Sequence, residues 1–304
     1  MEKNTERNKR AEMPEKMEPK RKAFSELNLI DDFMFDVATA DLEICKYIVE
    51  LCMNIKIREI HWKEGQKQVH NLPGKRGIRL DFYVVDMDGN VYNVEMQNQR
   101  DGNIPKRTRF YKALLDSPVL KSGEKGFDGL PPTYVIFICS FDLFACGKYR
   151  YTFENCCKEV PGLTLRDELC TIFLNTKGQN PEEVEPALVE FLRFVENSSE
   201  DMAEQAEDER IKQMYRKVRE LKRRADLEMS YMKMEERDRL IEERGVRKGT
   251  EIGKEIGKKM GERDKLVSQV KKKKEKGLTI QEIADMLEEE ETVILGIVKE
   301  LDGQ

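Results

Sequence analysis

Apolar and polar residues alternate along RLDFYVVDMDGNVYNVEMQ (79–97), and the alternation breaks only around Asp88-Gly89-Asn90. Two alternating runs about a turn-forming triplet predict a β-hairpin. Upstream the period lengthens. Leu29, Phe33, Met34 and Val37 recur at helical spacing in LNLIDDFMFDVA, and DLEICKYIVELC follows as a second helix with Asp41 placed as its N-cap. KIREIHWK (56–63) alternates like an edge strand, and HNLPGKRG (70–77) reads as a loop ending in Lys75 and Arg76. Downstream, IPKRTRFYKALLD (104–116) has the helical period, with Pro105 in its first turn. PTYVIFICS (132–140) is apolar almost throughout, as expected of a strand covered on both faces. KYRYTFENC (148–156) and ELCTIFLN (168–175) read as further strands, and PEEVEPALVEFLRFV (181–195) as a helix capped by Asn180.

The pattern changes near residue 198. From about 199 to 275 the chain is charged, helix-forming and poor in large apolar residues. Gly245, Gly249, Gly253, Gly257 and Gly261 recur there every four residues. A glycine inside a helix costs roughly 1 kcal/mol relative to alanine. The spacing therefore predicts either a surface that another helix approaches closely or a weakly ordered linker. LTIQEIADMLEEEETVILGIVKEL (278–301) reads as two short helices, the first capped by Thr279. It has the outline of a helix-turn-helix, but Glu288 to Glu291 at the second helix would repel phosphate, which favours a packing or oligomerisation role. The expected organisation is a disordered tail (1–22), an α/β domain (23–197), a charged, glycine-spaced helical segment (198–275) and a small helical end (276–304).

The net charge of −5 excludes a global basic field, so any contact with nucleic acid must come from a local patch. The seven cysteines form no CxxC pair and sit mostly in apolar runs, which predicts free, reduced thiols and a cytoplasmic protein; Cys156 and Cys157 are expected to be buried packing residues. His61 and His70 are the only histidines, and zinc-ligand spacing is absent. No apolar run reaches membrane-spanning length, so neither a span nor a signal peptide is expected.

The hairpin also carries candidate chemistry. Asp81 lies on its first strand, Glu95 and Gln97 on its second. Carboxylates in a dry sheet are costly unless paired or bound to metal, and a divalent cation held by Asp81 and Glu95, with Gln97 beside it, is the simplest account. An ion pair of Asp81 with Arg79 is the ordinary alternative. Strand side chains alternate faces. A two-residue loop at Asp88-Gly89 would put Glu95 on the wrong face. A three-residue loop, Asp88–Asn90, would set Asp81 opposite Gln97 with Glu95 one diagonal step away, so a metal site requires the longer loop. Asp86 and Asp88 read as turn residues, and Phe82, Tyr83 and Tyr92 as core or sheet-face residues. In helix 104–116, Arg107 and Tyr111 share a face that could meet a phosphate backbone, with Lys106 and Arg109 adding to it. Lys75, Arg76 and Arg79 could form a second basic strip.

IDDFMF (30–35), RLDFYVVD (79–86), VEMQNQ (94–99), KRTRFYKALLDS (106–117), LPPTYVIFICSFDLF (130–144), YRYTFENCC (149–157) and IFLNTKG (172–178) together resemble the PD-(D/E)xK nuclease family transposases, which are related to the recombination-promoting nuclease (Rpn) family. The resemblance covers roughly residues 25–195. It implies a restriction-endonuclease-like α/β core with a mixed central sheet flanked by helices, and Mg²⁺-dependent (or Mn²⁺-dependent) cleavage of DNA phosphodiesters in transposition or recombination. It implies Asp81 and Glu95 as metal ligands. Gln97 stands where many members of the superfamily carry lysine, and Asp36 where a basic residue is expected.

On this reading the Met96 carbonyl is a third ligand, Gln97 positions the attacking water, and Asp32 is a candidate for an added carboxylate. DNA is the partner, and a homodimer through the C-terminal helices would serve double-strand cutting. The alternative is a catalytically weak nuclease-fold module that binds or assembles through its helical tail.

Overall fold

The computed structural model describes residues 22–65, 68–69, 78–100, 103–120 and 126–303. Lys75, Arg76 and all but the last residue of the expected N-terminal tail lie outside these residues. A 3₁₀ turn (Phe24–Glu26) precedes α1 (Asp32–Ala38) and α2 (Leu42–Met53). Asp41 caps α2 as its sequence position predicts, accepting from the amides of Glu43 and Ile44. Next come β1 (Ile60–Gly65), β2 (Gln68–Val69), β3 (Ile78–Arg79), β4 (Phe82–Asp86), β5 (Val91–Gln97), α3 (Ile104–Asp116), β6 (Thr133–Cys139), β7 (Arg150–Phe153) and β8 (Leu169–Asn175). A second 3₁₀ turn (Pro181–Glu183) leads to α4 (Pro186–Glu196), α5 (Glu200–Gln205), α6 (Glu209–Leu221), α7 (Ala225–Lys274), α8 (Ile280–Leu287) and α9 (Glu291–Asp302).

Six strands form one mixed sheet in the order β1-β4-β5-β6-β8-β7, and β2 pairs with β3 separately. β1-β4 and β4-β5 pair antiparallel, β5-β6-β8 are parallel, and β7 returns antiparallel. The architecture is the mixed-sheet α/β core that the sequence predicts. One face carries Phe82, which meets Phe35 of α1 at 5.9 Å between ring centroids. By alternation it also carries Val84, Tyr92, Val94 and Met96. The other face packs Val135, Phe137, Cys139 and Phe173 against Tyr111, Leu114 and Leu115 of α3. Every residue of β5 is buried, so its polar members need partners inside the protein.

Two expectations change. The helix after Asn180 begins at Pro186, because a residue before proline is held extended, as Glu185 is at φ −62, ψ 133. Asn180 makes no cap there; its side chain accepts from the Tyr149 amide and donates to Glu183. Cys156 is exposed and Cys157 half-exposed, because they lie in the excursion after β7, where Cys156 bridges only to Thr164.

The chain divides into two compact units, Met1–Tyr231 and Met232–Gln304. α5 and α6 therefore belong with the sheet, past residue 197 where the expected domain ended. Ile211, Met214 and Val218 are fully buried there, and Arg210 reaches the buried Glu50 of α2 at 3.3 Å. In the second unit Val270, Ile283, Ala284, Ile294 and Ile297 form a small core. Thr279 starts α8 with a capping box, and Glu288 ends it in a left-handed conformation. Among the described residues, no helix is long and apolar enough to cross a membrane.

Candidate active site

Asp86 sets the hairpin. Its carboxylate accepts from the amides of Asp88 and Asn90, from the Asn90 side chain and from the Tyr92 hydroxyl. The Gly89 amide donates to the Asp86 carbonyl, and Gly89 takes φ +85, which a side chain would resist. The loop is therefore Met87–Gly89, three residues as a shared face requires, but one position earlier than Asp88–Asn90. Pairing of Phe82 with Val94 and of Tyr83 with Asn93 then carries Asp81 opposite Glu95, with Gln97 as the diagonal neighbour. The carboxylates are tied crosswise. The Asp81 amide donates to Glu95 Oε1 at 3.2 Å, and the Met96 amide donates to Asp81 Oδ2 at 2.8 Å. A strand residue directs its N–H and C=O to the same side, so the Met96 carbonyl faces Asp81 as well.

Glu95 is only 4% exposed. Burial and the neighbouring Asp81 push its carboxyl well above the usual carboxylate range; the Asp81 amide, Asn93 and Arg107 pull the other way. Burial also pushes the Tyr111 hydroxyl up, as does the nearby negative charge of Glu95. Asn93 is fully buried two residues before Glu95 on the same face, and neither polar atom of its side chain makes a regular hydrogen bond.

Asn103 caps α3 through the Lys106 amide, and Ile104, Thr108, Tyr111 and Leu115 are buried. The edge carrying Arg107 and Tyr111 thus turns toward the sheet, while Lys106 and Arg109 remain exposed. Arg107 donates from Nη2 to Gln97 Oε1, and its guanidinium lies 5.1 Å from the Phe137 ring and 5.8 Å from the Tyr111 ring. Gln97 donates in turn from Nε2 to the Gln99 carbonyl at 2.5 Å.

Asp32 is exposed in the first turn of α1. Among the described residues, no three His, Cys, Asp or Glu side chains gather closely enough to hold an ion. Two facing carboxylates still suit a divalent cation that retains several waters and takes few protein ligands. The like charges held together at a buried position are a donor set that a cation would relieve.

Four further residues shape the site without having stood out in the sequence. Asn93 could have been noticed as a polar residue at an inward strand position. Arg100 donates to the Asp142 carbonyl at 2.6 Å and lies over Phe141. The Asp142 carboxylate folds the loop after β6 by accepting from the amides of Phe144, Ala145 and Gly147 and from the Tyr151 hydroxyl. Ser140 fastens this loop to the end of β5, donating to the carbonyls of Gln97 and Asn98. None of these contacts leaves a local sequence signal.

No curated protein and no solved structure matches the chain. A family model does, over residues 48–248, a span that contains the hairpin, α3 and the parallel strands. With well over half of its length matched, the chain belongs to the PD-(D/E)XK nuclease family transposases.

Proposed function

We propose that this nuclease-family protein is a metal-dependent DNA endonuclease acting in transposition or recombination, with Asp81 and Glu95 as its metal-binding carboxylates. The supporting observation is the Asp81–Glu95 pair itself, two carboxylates set across a hairpin in a mostly buried site. On this reading the Met96 carbonyl joins them, and Mg²⁺ is the ion, with Mn²⁺ able to replace it. When bound, the ion supplies an activated water and neutralises charge on the phosphate. Gln97 orients the water or a phosphate oxygen by hydrogen bonding. The Asp81 amide holds Glu95, and Asp142 and Arg100 hold the loop that borders Gln97.

Lys106 and Arg109 are the exposed cations of α3 and serve as its phosphate contacts, joined by Lys75 and Arg76. Asp32, in the first turn of α1, is a candidate for an added carboxylate. The seven free thiols suit a reducing cytoplasm. Cutting both strands with one site per chain calls for a homodimer, which we place at the C-terminal helices.

The test is nicking of supercoiled plasmid with Mg²⁺, with Mn²⁺ and with EDTA, for the wild type, Asp81→Ala and Glu95→Ala. We expect metal-dependent nicking that falls at least about 100-fold in either variant. Full activity in both variants would remove the site from the hairpin.

A further inference from the structure

The Arg107–Gln97 contact raises a chemical question. Cleaving a phosphodiester develops negative charge on oxygen, and stabilising it calls for positive charge or strong hydrogen-bond donors. A carboxamide carries no charge. Yet the carboxamide beside the two carboxylates is bonded through its oxygen to a guanidinium.

Arg107 and the Gln99 carbonyl determine which way round the Gln97 amide stands. A guanidinium only donates and a carbonyl only accepts. The partner at Arg107 Nη2 must therefore be Oε1, and the partner at the Gln99 carbonyl must be Nε2. The reversed amide would place donor against donor and acceptor against acceptor. Hydrogen bonding at an amide oxygen also draws electron density from the nitrogen, so hydrogen bonds along the chain strengthen one another. Arg107 is itself held by the Phe137 and Tyr111 rings, and its Nε is buried without a hydrogen-bond partner. Its charge reaches Glu95 as well, favouring the ionised carboxylate.

We infer that Arg107 is a positioning residue for the cleavage site: it locks the Gln97 carboxamide in one orientation and transmits its positive charge through that amide, and it is not a contact to DNA phosphate. The inference rests on the nuclease reading of the Asp81–Glu95 site, but it is testable apart from it.

Arg107→Met keeps an apolar stem over Phe137 and removes the donors and the charge; Arg107→Lys is the second variant should the first fail to fold. Plasmid nicking with Mg²⁺ should lose about 10- to 100-fold in kcat in Arg107→Met, with KM little changed. In a Gln97→Ala background the same change should cost much less than in the wild type, because the part of the effect carried by Gln97 cannot be removed twice. DNA binding in EDTA should keep its salt slope in Arg107→Met, whereas Lys106→Met or Arg109→Met should each lower the slope by about one. An Arg107→Met slope reduced by about one with unchanged kcat would make Arg107 a phosphate contact and overturn the inference. Additive losses in the double variant would do the same.

One readout needs no activity. The side-chain NH₂ resonances of Gln97 in a ¹⁵N spectrum of the wild type should shift and exchange faster with water in Arg107→Met. Unchanged resonances would overturn the inference even in a protein that cuts nothing, while absence of cutting by the wild type would count against the nuclease reading alone.

Discussion

The sheet unit and the exposed stretch of α7 invert the usual arrangement of a folded protein in opposite ways. In β5, Asn93, Glu95 and Gln97 are polar and buried, at 0%, 4% and 7% exposure. In the second unit Ile252, Ile256 and Met260 of α7 are apolar and exposed, each near half or more. Both arrangements lower stability: a buried carboxylate loses hydration, and an exposed aliphatic side chain gains nothing from folding. The difference lies in the surroundings. Glu95 and Gln97 of β5 are embedded in a fixed network of the Asp81 amide, the Gln99 carbonyl and Arg107. The apolar residues of α7 stand beside glycines at which an added Cβ would meet nothing within 4 Å. A buried polar network specifies geometry, whereas an exposed apolar strip on a helix does not.

The largest effect on stability is expected where the sheet unit buries a charge outside the site. Glu50 accepts from the Ile57 amide, and its other oxygen pairs with Arg210. Arg210→Ala would leave that carboxylate with the more distant, exposed Lys56 at 3.8 Å and should cost about 3 kcal/mol, read from urea unfolding. A loss below about 1 kcal/mol would show that this buried pair is not a stabilising contact between α2 and α6.

Next comes the site itself. The Glu95 carboxyl ionises at higher pH in the folded chain than in the unfolded one, so the folded chain binds more protons between those two values. Stability without metal should therefore be greatest at low pH with respect to this group. It should decline as pH rises from the usual carboxylate range through the raised value. Thermal melts in EDTA should show the decline, and Asp81→Asn, which removes the like charge, should reduce it. Equal pH dependence in the variant would mean that burial alone holds Glu95 in its raised state.

The smallest effects belong to α7. Replacing Gly249, Gly253 and Gly257 with alanine should raise helix stability by about 1 kcal/mol each. Ile252→Gln and Ile256→Gln should change the stability of the isolated chain by no more than about 0.5 kcal/mol. Melting followed by circular dichroism at low protein concentration separates the two. A large loss from either glutamine would show that the strip is covered in solution, and the comparison with β5 would fail.

Local periodicity carried much of this protein. The helix at 104–116 is found as Ile104–Asp116, the apolar run at 132–140 as Thr133–Cys139, and Asp41 and Thr279 cap the helices they precede. These features depend on neighbours within a few residues, which a sequence displays directly. The presence of carboxylates on both hairpin strands was equally legible, as was the need for a three-residue loop.

What tertiary structure decided is of another kind. The Asp86 carboxylate moved the loop by one residue, and that step brought Glu95, not Gln97, opposite Asp81. The Phe137 ring and the buried flank of α3 set Arg107 and Tyr111 against the sheet, with Arg107 on Gln97. Register and facing are settled by contacts between residues distant in the chain, and a periodic pattern is the same for either choice. The sequence alone determined which elements form and which chemical groups they carry; only the packed sheet determined which of those groups meet.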